Sequence, residues 1–261
     1  MAALGGFDAG NVSNTVDFSG SITPSENNKW VWAVGQGYGN FSHKTYDLTD
    51  NGRKLTITAS ENMPLLVGKV TEAFEGGPGL SPQIAFGDSK GSISPVWAAD
   101  NAEGTMTLTV HDTNQQEIGT MTLNVNAFAP VAWSKTDASQ GVAIRYMNNS
   151  AGSFTGSTGV FAKSPNFATV NAILNAFGAP TLQEIQGQIK SYPGLSGIDD
   201  DTSDVVGISG DAYDASGWAY AGAYALGVLN GKTLELNFNS PVNTGAETDW
   251  KASLTMQISY S

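Results

Sequence analysis

The chain is 261 residues long, 40% hydrophobic and only 14% charged, which allows a sizeable core and excludes a disordered polymer. Its formal charge of −12 leaves no basic stripe for nucleic acid or anionic lipid. The absence of cysteine removes disulfides, thiol catalysis and cysteine-bound zinc.

The opening stretch, "MAALGGFDAGNVSN", is glycine-rich, with spaced apolar residues at Leu4, Phe7, Ala9 and Val12. It has no signal-peptide pattern, and the sequence is read as a mature form. "TVDFSGSIT" then alternates through Val16, Phe18 and Ile22. "KWVWAV", "KLTITA", "PLLVGKV" and "QIAFGD" are further strand candidates. "TMTLTV" and "TMTLNV" flank the polar turn "HDTNQQEIG" and predict a hairpin.

From about residue 127 to 211 the strand pattern is interrupted. "SPNFATVNAILNAFG" predicts a helix capped by Ser164, with Pro165 in its first turn and Gly178 closing it. Phe167, Val170, Leu174 and Phe177 fall at helical spacing. "TLQEIQGQIK" predicts a second helix, opened by a Thr181–Glu184 capping box and ended by Pro193-Gly194. Leu182, Ile185 and Ile189 line its face. Two short helices inside an all-β chain predict an insertion in a loop, where binding commonly resides.

Beyond the insertion, Trp218, Tyr220, Tyr224, Leu226 and Val228 share one parity. Asn230-Gly231 predicts a hairpin back into "TLELNF". In "WKASLTMQISYS", Trp250, Ala252, Leu254, Met256, Ile258 and Tyr260 alternate with polar residues. Strands at both ends of the chain, at this spacing, point to a sandwich.

Catalytic motifs are weak. His43 and His111 are the only histidines, and neither has a G-x-S-x-G nucleophile nearby. "GVLNGKT" lacks P-loop spacing and precedes a strand instead of a helix. "GIDDDTSD" gathers Asp199, Asp200, Asp201 and Asp204 without completing an EF-hand, and reads as a solvated acidic loop. No cofactor or metal is expected, and a glycan-acting enzyme is the minority reading. The insertion does offer binding chemistry: Lys135, Asp137, Gln140, Arg145, Tyr146, Asn148 and Asn149 combine an aromatic face with planar polar groups suited to sugar hydroxyls.

A terminal strand with strict alternation suits docking to another sheet edge. A spare apolar segment at the opposite end would let copies join head to tail into a fibre. The segments "VDFSGSIT", "KWVWAVGQG", "KLTIT", "KVTEAF", "PQIAFGD", "EIQGQIK", "AYALGVLNGKTLELNF" and "MQISYS" resemble, in order and spacing, the FaeG-type major subunits of enterobacterial kappa-class fimbriae. The likeness is weak between about Trp133 and Ser209.

The resemblance implies a mainly β fold: an incomplete immunoglobulin-like sandwich completed by a donor strand, with an inserted subdomain of extra strands and two short helices. Residues 1–15 would be the donor extension. Residues 16–261 would be the pilin domain, interrupted at about 127–211 by a receptor-binding insertion. The subunit would pass through the periplasm with a chaperone, meet an outer-membrane usher, and join identical subunits in a linear fibre at the cell surface. Leu254, Met256, Ile258 and Tyr260 would form the chaperone-facing strand of the acceptor groove, and Leu4, Phe7, Ala9 and Val12 the donor plugs. In that family the major subunit is also the adhesin, binding host intestinal glycoprotein or glycolipid through the insertion. A purely structural pilin, with adhesion carried by another subunit, is the alternative.

Overall fold

The computed structural model describes residues 29–39, 41–98, 101–148, 152–201, 206–209 and 212–261, together with the backbone of Ala3–Leu4, Asp8–Ala9 and Ser13–Val16. Phe7, Val12, Phe18, Ile22, Asn149 and Asp204, singled out above, lie outside the described residues, as do the side chains of Leu4, Ala9 and Val16.

In chain order the strands are β1 (Ala3–Leu4), β2 (Asp8–Ala9), β3 (Ser13–Val16), β4 (Trp30–Gln36), β5 (Lys54–Thr58), β6 (Met63–Val70) and β7 (Phe74–Glu75). There follow β8 (Pro82–Asp88), β9 (Gly91–Ile93), β10 (Val96–Trp97), β11 (Glu103–His111), β12 (Glu117–Phe128), β13 (Pro130–Lys135) and β14 (Ala143–Met147). Helices α1 (Phe167–Phe177) and α2 (Leu182–Lys190) precede β15 (Gly207–Ser209), β16 (Trp218–Val228), β17 (Thr233–Phe238), β18 (Lys251–Ala252) and β19 (Leu254–Tyr260).

The alternating sequences fold as their parity dictates. In β5, Leu55 and Ile57 point inward between exposed threonines. In β19, Leu254, Met256 and Ile258 are buried while Gln257 and Ser259 face solvent. The β11–β12 hairpin forms as predicted, its turn fixed by Asp112, whose Oδ1 accepts hydrogen bonds from the Asn114 and Gln116 amides.

A large curled sheet runs β1-β4-β6-β16-β12-β11-β10, and a four-stranded sheet runs β3-β19-β8-β9. The fold is an immunoglobulin-like sandwich carrying extra strands and two helices. The two sheets meet where the chain leaves β11 through β18 and continues as β19 against β8. Asp88 ties them again: its Oδ2 accepts from the Thr109 amide at 2.8 Å and the Thr109 hydroxyl at 2.7 Å. Burial opposes ionisation of Asp88, yet the hydrogen bonds from Thr109, Lys90 and Gly91 outweigh it and hold the carboxyl below its ordinary range.

Three sequence expectations are corrected. Asn230-Gly231 makes no hairpin. Both β16 and β17 run antiparallel to β12, one after the other along the same edge, and do not pair with each other. On their other edges they pair with β6 and β5. With both edges already paired, the positive φ of Gly231 (82°) produces only a step, mirrored by Ala59, whose carbonyl accepts from the Gly231 amide. The cap of α1 is Asn166, not Ser164, because the Asn166 carboxamide accepts from the Thr169 amide. α2 closes at Ser191, before Pro193-Gly194. The Thr181–Glu184 capping box and the left-handed Gly178 cap form as expected.

β16 separates two cores. Tyr220, Tyr224, Leu226 and Val228 face the sandwich interior with Trp30, Trp32 and Phe154. Ala219, Ala221, Ala223 and Ala225 face the opposite way, toward Leu174, Phe177, Leu182, Ile185 and Ile189 of the helices. Small residues here let the helices lie close to the sheet. At Gly227 any Cβ would collide with the Phe177 ring.

Candidate functional site

The first candidate site is the gap between β4 and β19. Strands β1, β2 and β3 line it and take different partners. Ala3 and Leu4 pair with Gln36 and Gly35, and Asp8 and Ala9 pair with Trp32 and Val31, all antiparallel to β4. Ser13 to Val16 then pair with Gln257 to Leu254, antiparallel to β19. The two flanking strands are also joined by a side-chain hydrogen bond from Trp32 Nε1 to Tyr260 Oη at 2.9 Å. Trp32 is the partner of Asp8, and Tyr260 lies beyond Gln257, the partner of Ser13. The bond therefore crosses the gap at the level between β2 and β3. Burial, partly offset by this hydrogen bond, pushes the Tyr260 phenol up to about 12.

Of the residues expected to line an acceptor groove, Leu254, Met256 and Ile258 are buried on one face of β19 and Tyr260 is half-buried. A cavity of about 690 Å³ with a mixed apolar and polar lining adjoins Leu254. Its walls include Leu55, Leu65, Leu108, Leu123 and Leu234, and the stacked rings of Phe41 and Trp250 stand at its rim, 6.2 Å apart.

The second candidate site is the insertion. β13 pairs with β14 and with the first half of β16, and β14 pairs in parallel with β15. β13 thus lies against residues 218–222 of β16. Lys135, Asp137 and Gln140 gather at the β13–β14 turn. Lys135 Nζ stands 5.6 Å from the centre of the half-buried Trp218 ring, a cation–π contact. Asp137 accepts hydrogen bonds from the Ser139 side chain and amide, which hold its exposed carboxyl below the ordinary range. The Gln140 carbonyl accepts from the Ser134 hydroxyl at 2.6 Å.

The remaining predicted residues lie elsewhere. Arg145 is mid-strand, with its guanidinium 3.6 Å from the Asp201 carboxylate. Asn148 follows the far end of β14, about 16 Å from the turn by the rise of a five-residue strand. Tyr146 is fully buried against Phe128 and Phe161, so it offers no ring face to a ligand. Both faces of β14 are largely covered: Tyr146 is fully buried, and Arg145 on the other face is the strand's one partly exposed residue. In the sequence Trp218 is marked only by the parity it shares with Tyr220 and Tyr224. Its position opposite Lys135 at the open end of β16 is visible only once the strands are paired.

No group of three or more His, Asp or Glu side chains among the described residues could hold a metal ion. Lys190 neutralises Asp200 at 2.9 Å. His111 Nε2 lies 3.4 Å from Ser89 Oγ, and His43 Nδ1 lies 3.7 Å from Asp47. No described helix is long and apolar enough to cross a membrane.

A profile of the family described as "Fimbrial, major and minor subunit" matches residues 3–261. The chain belongs to this fimbrial subunit family. It is similar to K88 fimbrial protein AB of Escherichia coli, 29% identical over 270 residues, covering 96% of this chain and 91% of that protein. K88 fimbrial protein AD of Escherichia coli is likewise 29% identical over 270 residues, with the same coverage. The K88 minor fimbrial subunit FaeI of Escherichia coli is 26% identical over 251 residues, covering 94% of this chain and 89% of that protein. This fimbrial subunit is therefore a structural protein of surface fibres built from subunits, not an enzyme.

Proposed function

We propose that this fimbrial subunit polymerises by donor-strand exchange and that its inserted subdomain makes it an adhesin for host intestinal glycoconjugates. The observation that supports the assembly part is the gap between β4 and β19, where β1 and β2 pair with β4 and β3 pairs with β19, all antiparallel. In the fibre, the N-terminal segment of a neighbouring subunit fills it. Leu4, Phe7, Ala9 and Val12 supply the apolar side chains, each contributing roughly 1.5–3 kcal/mol on full burial. Before assembly, a periplasmic chaperone covers Leu254, Met256, Ile258 and Tyr260, and an outer-membrane usher exchanges it for the next subunit.

The adhesive surface is best supported at the β13–β14 turn, where Lys135 stands over the Trp218 ring and Asp137 and Gln140 follow in the turn. An aromatic ring beside charged and planar polar groups suits a sugar. Arg145 and Asn148 lie away from this turn. Deleting residues 1–15 should leave a subunit that is secreted with its chaperone but forms no fibres by negative-stain microscopy; fibres surviving the deletion would reject the assembly reading. Glycan arrays probed with intact fibres test adhesion.

The second reading, a purely structural pilin, is favoured by the spread of the polar residues and the burial of Tyr146. It predicts no glycan binding, or binding unchanged by Trp218→Ala with Lys135→Ala.

A further inference from the structure

The cavity beside Leu254 takes no part in the assembly or the adhesion proposed above. We propose that it is a binding site for a single-chain amphiphile, an apolar tail with a zwitterionic head, as in a lysophospholipid.

Its lining is sorted by depth. The inner wall is made of strand side chains, among them Leu55, Leu65, Leu108, Leu123 and Leu234. Each of these keeps 2–5% exposure, whereas Leu66, Leu226 and Leu236 of the same core keep none. At about 690 Å³ the space matches small-molecule sites, about 300–1,000 Å³, and far exceeds the voids of a packed core. The wall presents side chains, not backbone edges: β6 lies between β4 and β16, and β12 and β17 are paired on both sides. An extended peptide would find no ladder to join there, so the wall suits an apolar tail. Of Leu254, Met256, Ile258 and Tyr260 only Leu254 borders the space, so a tail inside it leaves the gap between β4 and β19 clear.

The outer wall comes from two loops, residues 41–48 and 242–250, and from β18. Phe41 and Trp250 stack at the rim with their rings 12° from parallel. The charged lining residues all lie at this level: exposed Lys44 and Lys251 against exposed Glu247 and Asp249, with His43 beside Asp47. The two lysines and two acids cancel, on a chain whose formal charge is −12. A head carrying both signs can pair with both kinds of group. A lone carboxylate or ammonium would pair with one kind and be repelled by the other.

The full-length protein is dialysed to equilibrium against lauroyl-lysophosphatidylcholine, lauric acid or dodecylamine, each below its micelle concentration. The expected result is saturable binding of one lysophosphatidylcholine per subunit, at least about tenfold tighter than either singly charged amphiphile. Binding should change the tryptophan fluorescence, and Trp250→Phe should remove that change. Leu65→Trp, which fills the inner space, should weaken binding at least about tenfold. Lys44→Glu leaves the core untouched, because Lys44 is exposed, and should turn the preference toward dodecylamine. No saturable binding of any of the three amphiphiles would overturn the site. Saturable binding that neither Leu65→Trp nor Lys44→Glu alters would overturn its placement in this cavity. Equal affinity for all three would overturn the zwitterionic head.

Discussion

The two faces of β16 make an instructive comparison. One face, with Tyr220, Tyr224, Leu226 and Val228, builds the sandwich core from large side chains that interlock with Trp30, Trp32 and Phe154. The other face is alanine at Ala219, Ala221, Ala223 and Ala225, and its bulk comes from the helices. The first arrangement depends on strands distant in sequence. The second needs only two capped, amphipathic helices laid on a smooth surface, with Asn171 joining them through Gln183 and the Leu182 amide. Helices seated on small residues can vary without disturbing the framework beneath.

Mutations aimed at one face test how independent the two cores are. The largest effect is expected for Trp32→Ala, which empties the centre of the sandwich core and removes the bond to Tyr260. Stability should fall by about 3–5 kcal/mol, read as a lower urea midpoint for the whole protein. Leu174→Ala should cost about 2–5 kcal/mol on the helical side. Native-state hydrogen exchange should then show α1 and α2 opening while β19 amides stay protected; equal loss in both regions would show that the cores are one cooperative unit.

Tyr260→Phe should cost about 1–2 kcal/mol, because Trp32 Nε1 loses its partner at a buried position. The same contact predicts a response to alkali. Tyr260 in the folded protein ionises near 12, above the ordinary phenol, so its contribution is complete below about pH 10 and is lost as the pH rises through 12. A phenolate-absorbance titration should show β19 loosening in that window, and Tyr260→Phe should remove its share of the transition. The smallest effect is expected for Thr181→Ala, about 1 kcal/mol and confined to α2. Hydrogen bonds from the Thr181 amide and hydroxyl hold the Glu184 carboxyl below its ordinary range. The capping box therefore contributes above the unfolded carboxyl pKa and weakens as the pH falls through the folded one, which helical circular dichroism at acid pH would detect.

Several of these features were legible in the chain. Period-two alternation located β5, β8, β11, β12 and β19, and the Thr181–Glu184 pair located α2, because those signals involve residues only two to four apart. The candidate glycan site was less legible. Lys135, Asp137 and Gln140 do share a turn, but Arg145 and Asn148 were grouped with them by sequence proximity alone, and an extended strand carries neighbours in sequence apart at about 3.3 Å per residue. Asn230-Gly231 misled for a related reason: positive φ permits a hairpin, but whether two strands pair depends on which edges remain free.

By itself the sequence determined the mainly β class, the inward residues of most strands, the two helices and the unsuitability of the chain for nucleic acid. These follow from local periodicity, capping chemistry and net charge. Only the tertiary structure decided that β16 has two buried faces, that Tyr146 is inaccessible while Trp218 is half-exposed, and that β1 and β2 pair with β4 while β3 pairs with β19. Each of those depends on pairing between segments far apart in the chain, and pairing is set by the competition of all available edges and faces for one another.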